Sequence, residues 1–423
     1  MHCSPCLQAC GRGFKITARV AVLDRIHGAS VIARKMKDLG METQALEVYH
    51  DTPSLEGFDL VVSPVHLSPE NLVLSEAKRR GLRIVTHHRA VGEILAPGIN
   101  PRMKIFEVTG THSKTSTALL LSRMLSGQKS VISHTTRGIE AWSEGSSRLI
   151  QGGLSITPGN VIKAVEAAEA TGADALVCEI SLGGTGLADL GIITSLSGDY
   201  MIAGRSGWAS TAKLQMLSLA KPGAKLVANA DCHISYDLSF GEGGNLWADR
   251  AGLHIDGEAF PLDPSPDLDI PSYQTAISAA AAASMTAGLM VEDIVSALEG
   301  FDGFSGRMKL SRVDGLTLYD SSNSGLKVTD VAKALDKASG GILCLVVGEE
   351  AQTVCEGMDV PALVRLLSER RHEVKELILV GERLSPWAGG LSARAAHDLK
   401  SGEAMARSLQ GLEKILLCVK CFR

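Results

Sequence analysis

A strand, a tight loop and a helix predicted over residues 104–125 constrain the fold of this 423-residue chain more than any other stretch. The run KIFEV is β-prone, and an apolar helical segment starts after Lys114. The loop between them begins at Gly110, where the absence of a Cβ allows a sharp turn. Backbone N–H groups at the start of a helix favour an anion. The stretch therefore predicts a phosphate-binding loop.

The side chains of the loop support this prediction. Lys114 adds a mobile positive charge, and Thr115 and Ser116 add hydroxyls. Thr115 stands where a phosphate-loop protein places its Mg²⁺ ligand. The strict pattern is missed, because Val108 and Ser113 stand at positions that are normally glycine, and a Cβ at Ser113 is unwelcome where unusual dihedral angles are needed. The alternative is a Thr- and Ser-rich helix cap with an exposed lysine.

Length and composition limit the class of protein. A chain of this length is too long for one core, so we expect two to four domains. The net charge of −5 gives no general nucleic-acid footprint, and no apolar run approaches the roughly 18 residues needed to cross a bilayer. We therefore expect a cytoplasmic protein without nucleic-acid or membrane partners. The sequence leaves its oligomeric state open.

The nine cysteines are scattered and odd in number, which favours a reducing compartment over a disulfide framework. Cys3, Cys6 and Cys10 have a metal-like spacing, and His2 could complete a zinc site or cluster. The alternative is an N-terminal extension without a metal. Cys418 and Cys421 carry no stronger signal.

Alternating strand and helix patterns predict an α/β protein with three consecutive Rossmann-like domains. Pro and Gly in the linker 96–101 mark the first boundary, and the chain changes direction near 303–308. Two details of the pattern are a strand that includes RIVTHH and one helix over AKLQMLSLAK. The predicted parts are an extension (1–14), a small substrate domain (15–98), a central P-loop domain (101–303) and a C-terminal domain (304–423).

Two predicted strand ends carry chemistry. Glu179 ends the strand that follows the phosphate loop, where a second Mg²⁺-binding group belongs; a structural salt bridge is the alternative. In open α/β sheets, ligands bind beyond the carboxyl ends of the strands. In the first domain this strand-end rule places four histidines on or near one rim. They form a candidate substrate-binding edge, although each alone is more often a solvated loop residue. The first turn lacks G-x-G-x-x-G, so we expect no bound NAD. The histidines are His27, His66, His87 and His88.

The loop 109–116, TGTHSKTS, resembles the Thr-Gly-Thr-x-Gly-Lys-Thr-Thr loop of the Mur ligase family. Further segments resemble that family in the same order over nearly the whole chain. They are VCEIS (177–181), NAD (229–231), SGRM (305–308) and DSSNS (320–324).

The resemblance implies that ATP and Mg²⁺ are bound and that a carboxylate is activated as an acyl phosphate. It implies Mg²⁺ ligation by Thr115 and Glu179, and it aligns Lys213 with a carbamylated lysine. Tyr200 stands where the family has a metal-ligating histidine, so a second Mg²⁺ is in doubt. The implied catalytic residues are Lys114, Lys213 and Arg307. The implied ATP-binding residues are Gly110, Thr111, His112, Ser113, Lys114, Thr115, Ser116, Arg307 and Asp320.

Acyl activation by ATP spreads negative charge over the transferring oxygens, so a lysine, an arginine and Mg²⁺ must converge on them. Lys114, Arg307 and the pair Thr115 and Glu179 would supply that set. Because these residues lie on two predicted domains, we expect closure of the C-terminal domain to complete the site and keep water from the acyl phosphate.

Three segments resemble the branch of the family that closes the last ring of a nickel tetrapyrrole: DRIHG (24–28), THHRAVG (86–92) and NSG (323–325). This implies phosphorylation of a propionate carboxylate of a seco acid and attack by a ring carbon of the same molecule. The implied substrate contacts are His27, His87, His88 and Asn323. The alternatives are an amide-forming ligase of the UDP-muramyl peptide or polyglutamate type, a P-loop kinase or switch NTPase, and a non-catalytic tetrapyrrole-binding P-loop protein.

Overall fold

The computed structural model describes residues 18–350 and 357–422. The candidate metal cluster of Cys3, Cys6 and Cys10 lies outside these residues. The chain divides into two compact units, one of Met1–Trp247 with Thr275–Met290 and one of Ala248–Gln274 with Val291–Arg423. Three mainly parallel sheets follow one another along the chain. The predicted α/β fold class is therefore confirmed, while the predicted domain boundaries stay predictions.

The first sheet is wholly parallel, with the strand order β2-β1-β3-β4. β2 was not expected from the sequence, because its segment ETQAL lacks a strong β-prone run. The predicted strand RIVTHH is too long. It ends at Thr86, whose hydroxyl accepts a hydrogen bond from the N–H of Arg89 (3.1 Å) and caps a helix. The elements are β1 (Arg19–Leu23), α1 (Ala29–Asp38), β2 (Glu42–Leu46), β3 (Leu60–Ser63), α2 (Leu72–Arg79), β4 (Arg83–Thr86) and α3 (His87–Leu95).

The central part of the chain forms a larger mixed sheet. Its elements are β5 (Lys104–Thr109), α4 (Lys114–Leu125), β6 (Val131–Thr135), β7 (Gly138–Ser143), β8 (Ser146–Gln151), α5 (Pro158–Thr171), β9 (Ala175–Glu179), β10 (Leu190–Ile193), β11 (Met201–Ile202), β12 (Gly207–Trp208), α6 (Ala209–Lys213), α7 (Gln215–Ser218), β13 (Lys225–Asn229), β14 (Leu238–Phe240) and β15 (Leu246–Ala248). Of these elements, β11 and β12 form a separate antiparallel hairpin, and the strand order of the larger sheet is β15-β14-β13-β10-β5-β9-β6-β7-β8. β5 therefore lies between β9 and β10. In open α/β sheets the crevice beyond such a central strand is where ligands bind.

A shared layer of helices joins these two sheets. α1 and α3, from the first sheet, pack against α5, and apolar side chains of both sheets meet in one buried cluster that includes Val22, Ile32, Ile94, Val165 and Leu176. The helices approach closely because the contacts are made by glycines: a Cβ on Gly159 would lie 2.8 Å from the carbonyl oxygen of Gly28. The first and central sheets thus share one core.

The helix expected over 212–221 is two short helices, α6 and α7, separated at Leu214. The side-chain amide of Gln215 donates to the carbonyl oxygens of Ala212 and Leu182, both at 3.1 Å, and so ties this bend to the loop after β9. Pro222 cannot continue a helix, which limits the second piece. The spacing of apolar residues in the sequence does not predict such a long-range hydrogen bond.

The second unit contains a hairpin of two short strands and a six-stranded sheet with the order β18-β19-β23-β20-β21-β22. Buried clusters cover both faces of this sheet. Within 18–350 and 357–422, no helix is long and apolar enough to cross a membrane. The remaining elements are β16 (Leu253–Ile255), β17 (Glu258–Phe260), α8 (Ile270–Thr286), α9 (Val291–Ser296), β18 (Lys309–Val313), β19 (Leu316–Asp320), α10 (Val328–Ala338), β20 (Leu343–Glu349), α11 (Val360–Glu369), β21 (Glu376–Val380), β22 (Arg394–Ala396), α12 (Leu399–Ser408) and β23 (Lys414–Lys420).

Candidate active site

The predicted phosphate loop connects β5 to α4, the central strand to the helix behind it. Gly110 has a φ of 149°, and a Cβ there would lie 2.0 Å from the hydroxyl oxygen of Thr194. Ser113 has a φ of 62°, in the left-handed region that favours glycine. The departure from the usual glycine at Ser113 therefore carries a local conformational cost, as the sequence indicated.

The end of β10 holds the loop in place. The hydroxyl of Thr194 donates to the carbonyl oxygen of His112 (2.5 Å), and the N–H of Thr111 donates to the carbonyl oxygen of Ser195 (2.8 Å). The exposed His112 lies over Gly198, where a Cβ would meet its Nε2 at 3.1 Å. Hydrogen bonds from the neighbouring strand end thus hold the loop backbone in place.

Thr115 and Glu179 meet at the start of α4. The Thr115 hydroxyl lies 2.9 and 2.8 Å from the two carboxylate oxygens of Glu179, and the N–H of Thr136 donates to the same carboxylate at 3.3 Å. Both side chains are buried. The contacts of Glu179 with Thr115 and Thr136 are made by a hydroxyl and a backbone N–H group, and its role as a metal ligand stays a prediction. Hydroxyl and carboxylate oxygens in contact are a donor set that suits a hard cation such as Mg²⁺.

Lys213 is buried at the end of α6, with its ammonium nitrogen 5.0 Å from the ring centroid of Tyr200. Next to it, Asp199 accepts hydrogen bonds from the N–H groups of Ser210 and Tyr200. Partial burial raises the pKa of Asp199, but these hydrogen bonds and the charge of Lys213 outweigh it and hold the pKa below its ordinary value. Tyr200 therefore packs against the ammonium group of Lys213 with its ring, and whether a second Mg²⁺ binds here is not decided by this contact.

In the second unit, the predicted Arg307 turn and the Asp320 segment are joined. Asp320 accepts a hydrogen bond from the N–H of Gly306 (2.8 Å) and another from the N–H of Ser322 (3.1 Å). The side-chain amide of Asn323 donates to the carbonyl oxygen of Gly306 at 3.1 Å. The structure thus brings Arg307, Asp320 and Asn323 into one local arrangement of this unit. Their roles toward ATP and substrate stay predictions.

A second cluster lies at the carboxyl ends of β1 and β3. The carboxylate of Asp24 is fully buried, and its Oδ2 lies 2.7 Å from Nδ1 of His27 and 3.1 Å from Nε2 of His66. The hydroxyl of Tyr49 donates to the same oxygen at 3.1 Å. The two imidazoles meet edge to face, with ring centroids 4.8 Å apart. These four side chains, the Asp24 cluster, put His27 at a partly exposed edge, as the strand-end rule predicts.

His87 and His88 do not lie on an open rim, and this corrects their predicted position. Both are buried, with 1% and 2% of their surfaces exposed. Nε2 of His87 bonds to the carbonyl oxygen of Leu23 (3.0 Å), and Nε2 of His88 bonds to that of Ser181 (2.7 Å). Burial lowers their pKa values to about 3 and about 4, so both are neutral at pH 7. In this conformation they support the packing of α3 and do not face a ligand.

Three positions were not singled out by the sequence as functional: Asp24 as a buried acceptor, Thr136 beside Glu179, and Thr194 under the loop. Each follows the carboxyl end of a parallel strand. Reading the polar residue after every predicted strand would have found them, because those ends share one edge of their sheet.

Comparisons with known proteins found similar chains over most of this sequence. A family model described as the C-terminal domain of coenzyme F430 synthetase CfbE matches residues 310–421. The coenzyme F(430) synthetase of Methanosarcina acetivorans is 36% identical over 96% of this chain and 99% of that protein. Among solved structures, MurF of Acinetobacter baumannii has a TM-score of 0.57 at 16% identity, covering 80% of this chain and 78% of its own. A bifunctional folylpolyglutamate synthase/dihydrofolate synthase of Yersinia pestis, with AMPPNP and Mn, has a TM-score of 0.54 at 17% identity, covering 79% of this chain and 90% of its own. These two structures show the fold.

Proposed function

Because this chain belongs to the coenzyme F(430) synthetase family of ligases, we propose that it is the ATP-dependent enzyme that closes the last carbocyclic ring of a nickel tetrapyrrole. The substrate is the seco acid, whose propionate carboxylate is activated as an acyl phosphate. A ring carbon of the same molecule then attacks the activated carbonyl. The nucleophile is already tethered, so no separate amine needs a pocket.

The observation that carries this proposal is the contact between Thr115 and Glu179 at the phosphate loop. Their oxygens lie within 2.9 Å of one another at a helix N-terminus. The loop backbone suits an anion and the adjacent oxygens suit its counter-cation. Thr115 and Glu179 are therefore proposed to hold Mg²⁺. That ion, when bound, neutralises negative charge on the nucleotide phosphates.

The protein's own residues would carry out the first step as follows. The substrate carboxylate attacks the γ-phosphorus of ATP, and ADP leaves with the electron pair of the broken bond. Lys114, at the first position of α4, places an ammonium beside the loop and stabilises the charge that develops on the transferring oxygens. Lys213 is proposed to act in the same site, and Arg307 and Asp320 are proposed to bind ATP, on the strength of the family resemblance.

The residues of the first domain favour a tetrapyrrole substrate over the substrates of an amide-forming ligase. The turn from Asp24 to Gly28 contains no glycine-rich cradle for a diphosphate, and it presents imidazoles instead. Imidazoles can donate to peripheral carboxylates or stack on a macrocycle. His27 is thus proposed as a substrate contact.

The test is ATP consumption by the purified protein with the nickel seco-tetrapyrrole acid. We expect ADP and phosphate in equal amounts and a product lighter by one water, measured by mass spectrometry, and no ATP consumption without the acid. UDP-muramyl peptides and glutamate serve as the comparison substrates. Equal stimulation by either of these, with none from the tetrapyrrole, would move the protein to the amide-forming branches. ATP hydrolysis that no carboxylate changes would identify a switch NTPase.

A further inference from the structure

The Asp24 cluster contains an acid–base arrangement that the phosphate loop does not use. Asp24 has no exposed surface. Within the described residues, its ionic partners are His27 and His66, and no lysine or arginine pairs with it. Burial raises the pKa of Asp24, but hydrogen bonds and charge from the two histidines outweigh it and hold the pKa well below its ordinary range. A buried, ionised carboxylate thus has two imidazoles as hydrogen-bond partners.

The hydrogen bonds fix the orientation of His27. Asp24 Oδ2 is hydrogen-bonded to Nδ1 of the His27 imidazole, and Asp24 Oδ1 accepts a hydrogen bond from the backbone N–H of His27 at 3.1 Å. An ionised carboxylate accepts only, so Nδ1 carries a proton, and in the neutral form of the imidazole the lone pair is therefore on Nε2. This is the carboxylate–imidazole arrangement that makes Nε2 a general base. Asp24 has a φ of 76°, a costly conformation for a non-glycine residue that the surrounding bonds maintain.

The position of His27 in the fold connects it to the phosphate site. Gly28, the next residue, packs against the start of α5, where a Cβ would lie 3.2 Å from the hydroxyl oxygen of Thr157. The residue before Thr157, Ile156, accepts a hydrogen bond from the N–H of Ser181 (2.9 Å), two residues after Glu179. Through this series of contacts, the Asp24 cluster and the pair of Thr115 and Glu179 both border the same junction of the first and central sheets.

The loop that carries His66 borders this junction on another side. Ser68 lies against the turn of the β11–β12 hairpin, where a Cβ on Gly204 would meet its hydroxyl oxygen at 2.7 Å. That hairpin leads directly into α6 and Lys213. The hairpin therefore packs against the loop of His66, beside the edge at which His27 and His66 are partly exposed, with 18% and 30% of their side chains accessible. A broad, flat substrate could contact both the phosphate site and this edge.

We propose that His27, oriented by Asp24, is the general base of the ring-closing step. This inference rests on the proposed function and adds to it a residue for the second half-reaction. The ring carbon forms a bond to the carbonyl carbon of the acyl phosphate, and the C–O bond to phosphate breaks, so that phosphate leaves with its electron pair. The proton on the attacking carbon passes to Nε2 of His27. No oxidant or reductant is needed. Asp24 acts as a positioning residue, and it stabilises the imidazolium that forms.

The experiment separates the two half-reactions. Wild type, His27→Ala and Asp24→Asn are incubated with ATP, Mg²⁺ and the nickel seco-tetrapyrrole acid, with and without hydroxylamine, which traps an acyl phosphate as a hydroxamate. ADP, hydroxamate and ring-closed product are measured. The matched control is His254→Ala, because His254 also pairs with an aspartate, Asp249, at 3.0 Å in the second unit.

Because His27 is also a proposed substrate contact, the rates are compared at saturating tetrapyrrole acid. There we expect the trapped hydroxamate of His27→Ala to stay within about twofold of wild type, while ring closure falls by at least about 100-fold. Asp24→Asn should likewise keep its hydroxamate and lose ring closure, and His254→Ala should match wild type in hydroxamate and in ring-closed product. A His27→Ala variant that closes the ring at the wild-type rate would overturn the inference, as would equal losses of hydroxamate and product. A divalent ion that wild type retains in a one-to-one ratio and that His27→Ala loses would also overturn the inference. The ligand atoms of Asp24, His27 and His66 would then hold a metal. If wild type forms no hydroxamate from the tetrapyrrole acid, it is the proposed function that fails.

Discussion

The carboxyl edges of the first and central sheets obey one topological rule but carry different chemistry. At the central edge, the loop residues and Glu179 meet within hydrogen-bond distance, as the strand order requires. At the first edge, four histidines follow three neighbouring strands, yet only His27 and His66 stay partly exposed. His87 and His88 are covered at the shared helical layer. Strand order thus brings residues to an edge, and packing decides which of them can meet a ligand.

The largest expected effect is the loss of turnover when the loop lysine at the central edge is removed. Lys114→Ala should lower ATP-dependent turnover by about 1,000-fold or more, because the developing phosphate charge loses its nearest mobile cation. Lys104→Ala is the matched control, since Lys104 is an exposed lysine at the start of β5, and the other end of that strand leads into the loop. ADP release with the substrate acid is the measurement, and circular dichroism confirms folding. Wild-type turnover in a folded Lys114→Ala would remove the loop from the phosphate site.

Acidification tests the covered histidines of the first edge. His87 and His88 have folded-state pKa values of about 3 and about 4, below the ordinary 6.5, so the unfolded chain binds more protons between pH 6.5 and 4. Stability is therefore full above pH 6.5 and falls as the pH drops through this window, by about 1.4 kcal/mol per pH unit for each histidine. Urea unfolding at pH 7, 6 and 5 measures the slope.

His88→Gln should remove about 1.4 kcal/mol per pH unit from that slope. His66→Gln, a change at a partly exposed histidine of the same edge, is the comparison, and the buried His134 adds equally to the slope of both variants. An unchanged slope in His88→Gln would show that His88 is accessible to protons in the folded protein, which would return it to the candidate substrate contacts.

A smaller effect sharpens the metal assignment. Glu179→Gln should raise the Mg²⁺ concentration needed for half-maximal activity about tenfold, since a neutral amide is a poorer ligand for a hard cation. Glu107→Gln is the matched control: Glu107 is buried on the adjacent strand β5, but Thr185 binds its carboxylate. A Mg²⁺ titration of Glu179→Gln that overlays the wild-type curve would make Glu179 structural.

The smallest effect concerns the loop backbone. Ser113→Gly should stabilise the protein by up to about 1 kcal/mol, because glycine adopts the φ of 62° without a Cβ penalty. Ser116→Gly, three residues further into α4, should have the opposite sign, since glycine weakens a helix interior by about 1 kcal/mol. Thermal melting separates the two. A destabilised Ser113→Gly would mean that its hydroxyl, not its backbone, matters most.

Much of the site could be predicted because its residues are contiguous in sequence or follow strands. Gly110 to Ser116 is one segment, and Glu179 ends an apolar run whose parallel pairing with β5 places Val108 opposite Glu179. The resemblance of this segment to a known loop needed no tertiary information. The strain at Ser113 was likewise visible in advance, because it is a local property of the backbone.

The sequence by itself determined the alternation of strands and helices, the strand–loop–helix of the candidate phosphate site and the acidic strand end, since each depends on neighbouring residues. Only the tertiary structure decided that His87 and His88 are buried, that Asp24 serves two histidines, and that 212–221 is two helices. Each of these depends on a partner far along the chain: Ser181 for His88, His66 for Asp24, and Leu182 for Gln215. Hydrophobic periodicity reports which face of an element is buried, but it does not identify what lies against that face.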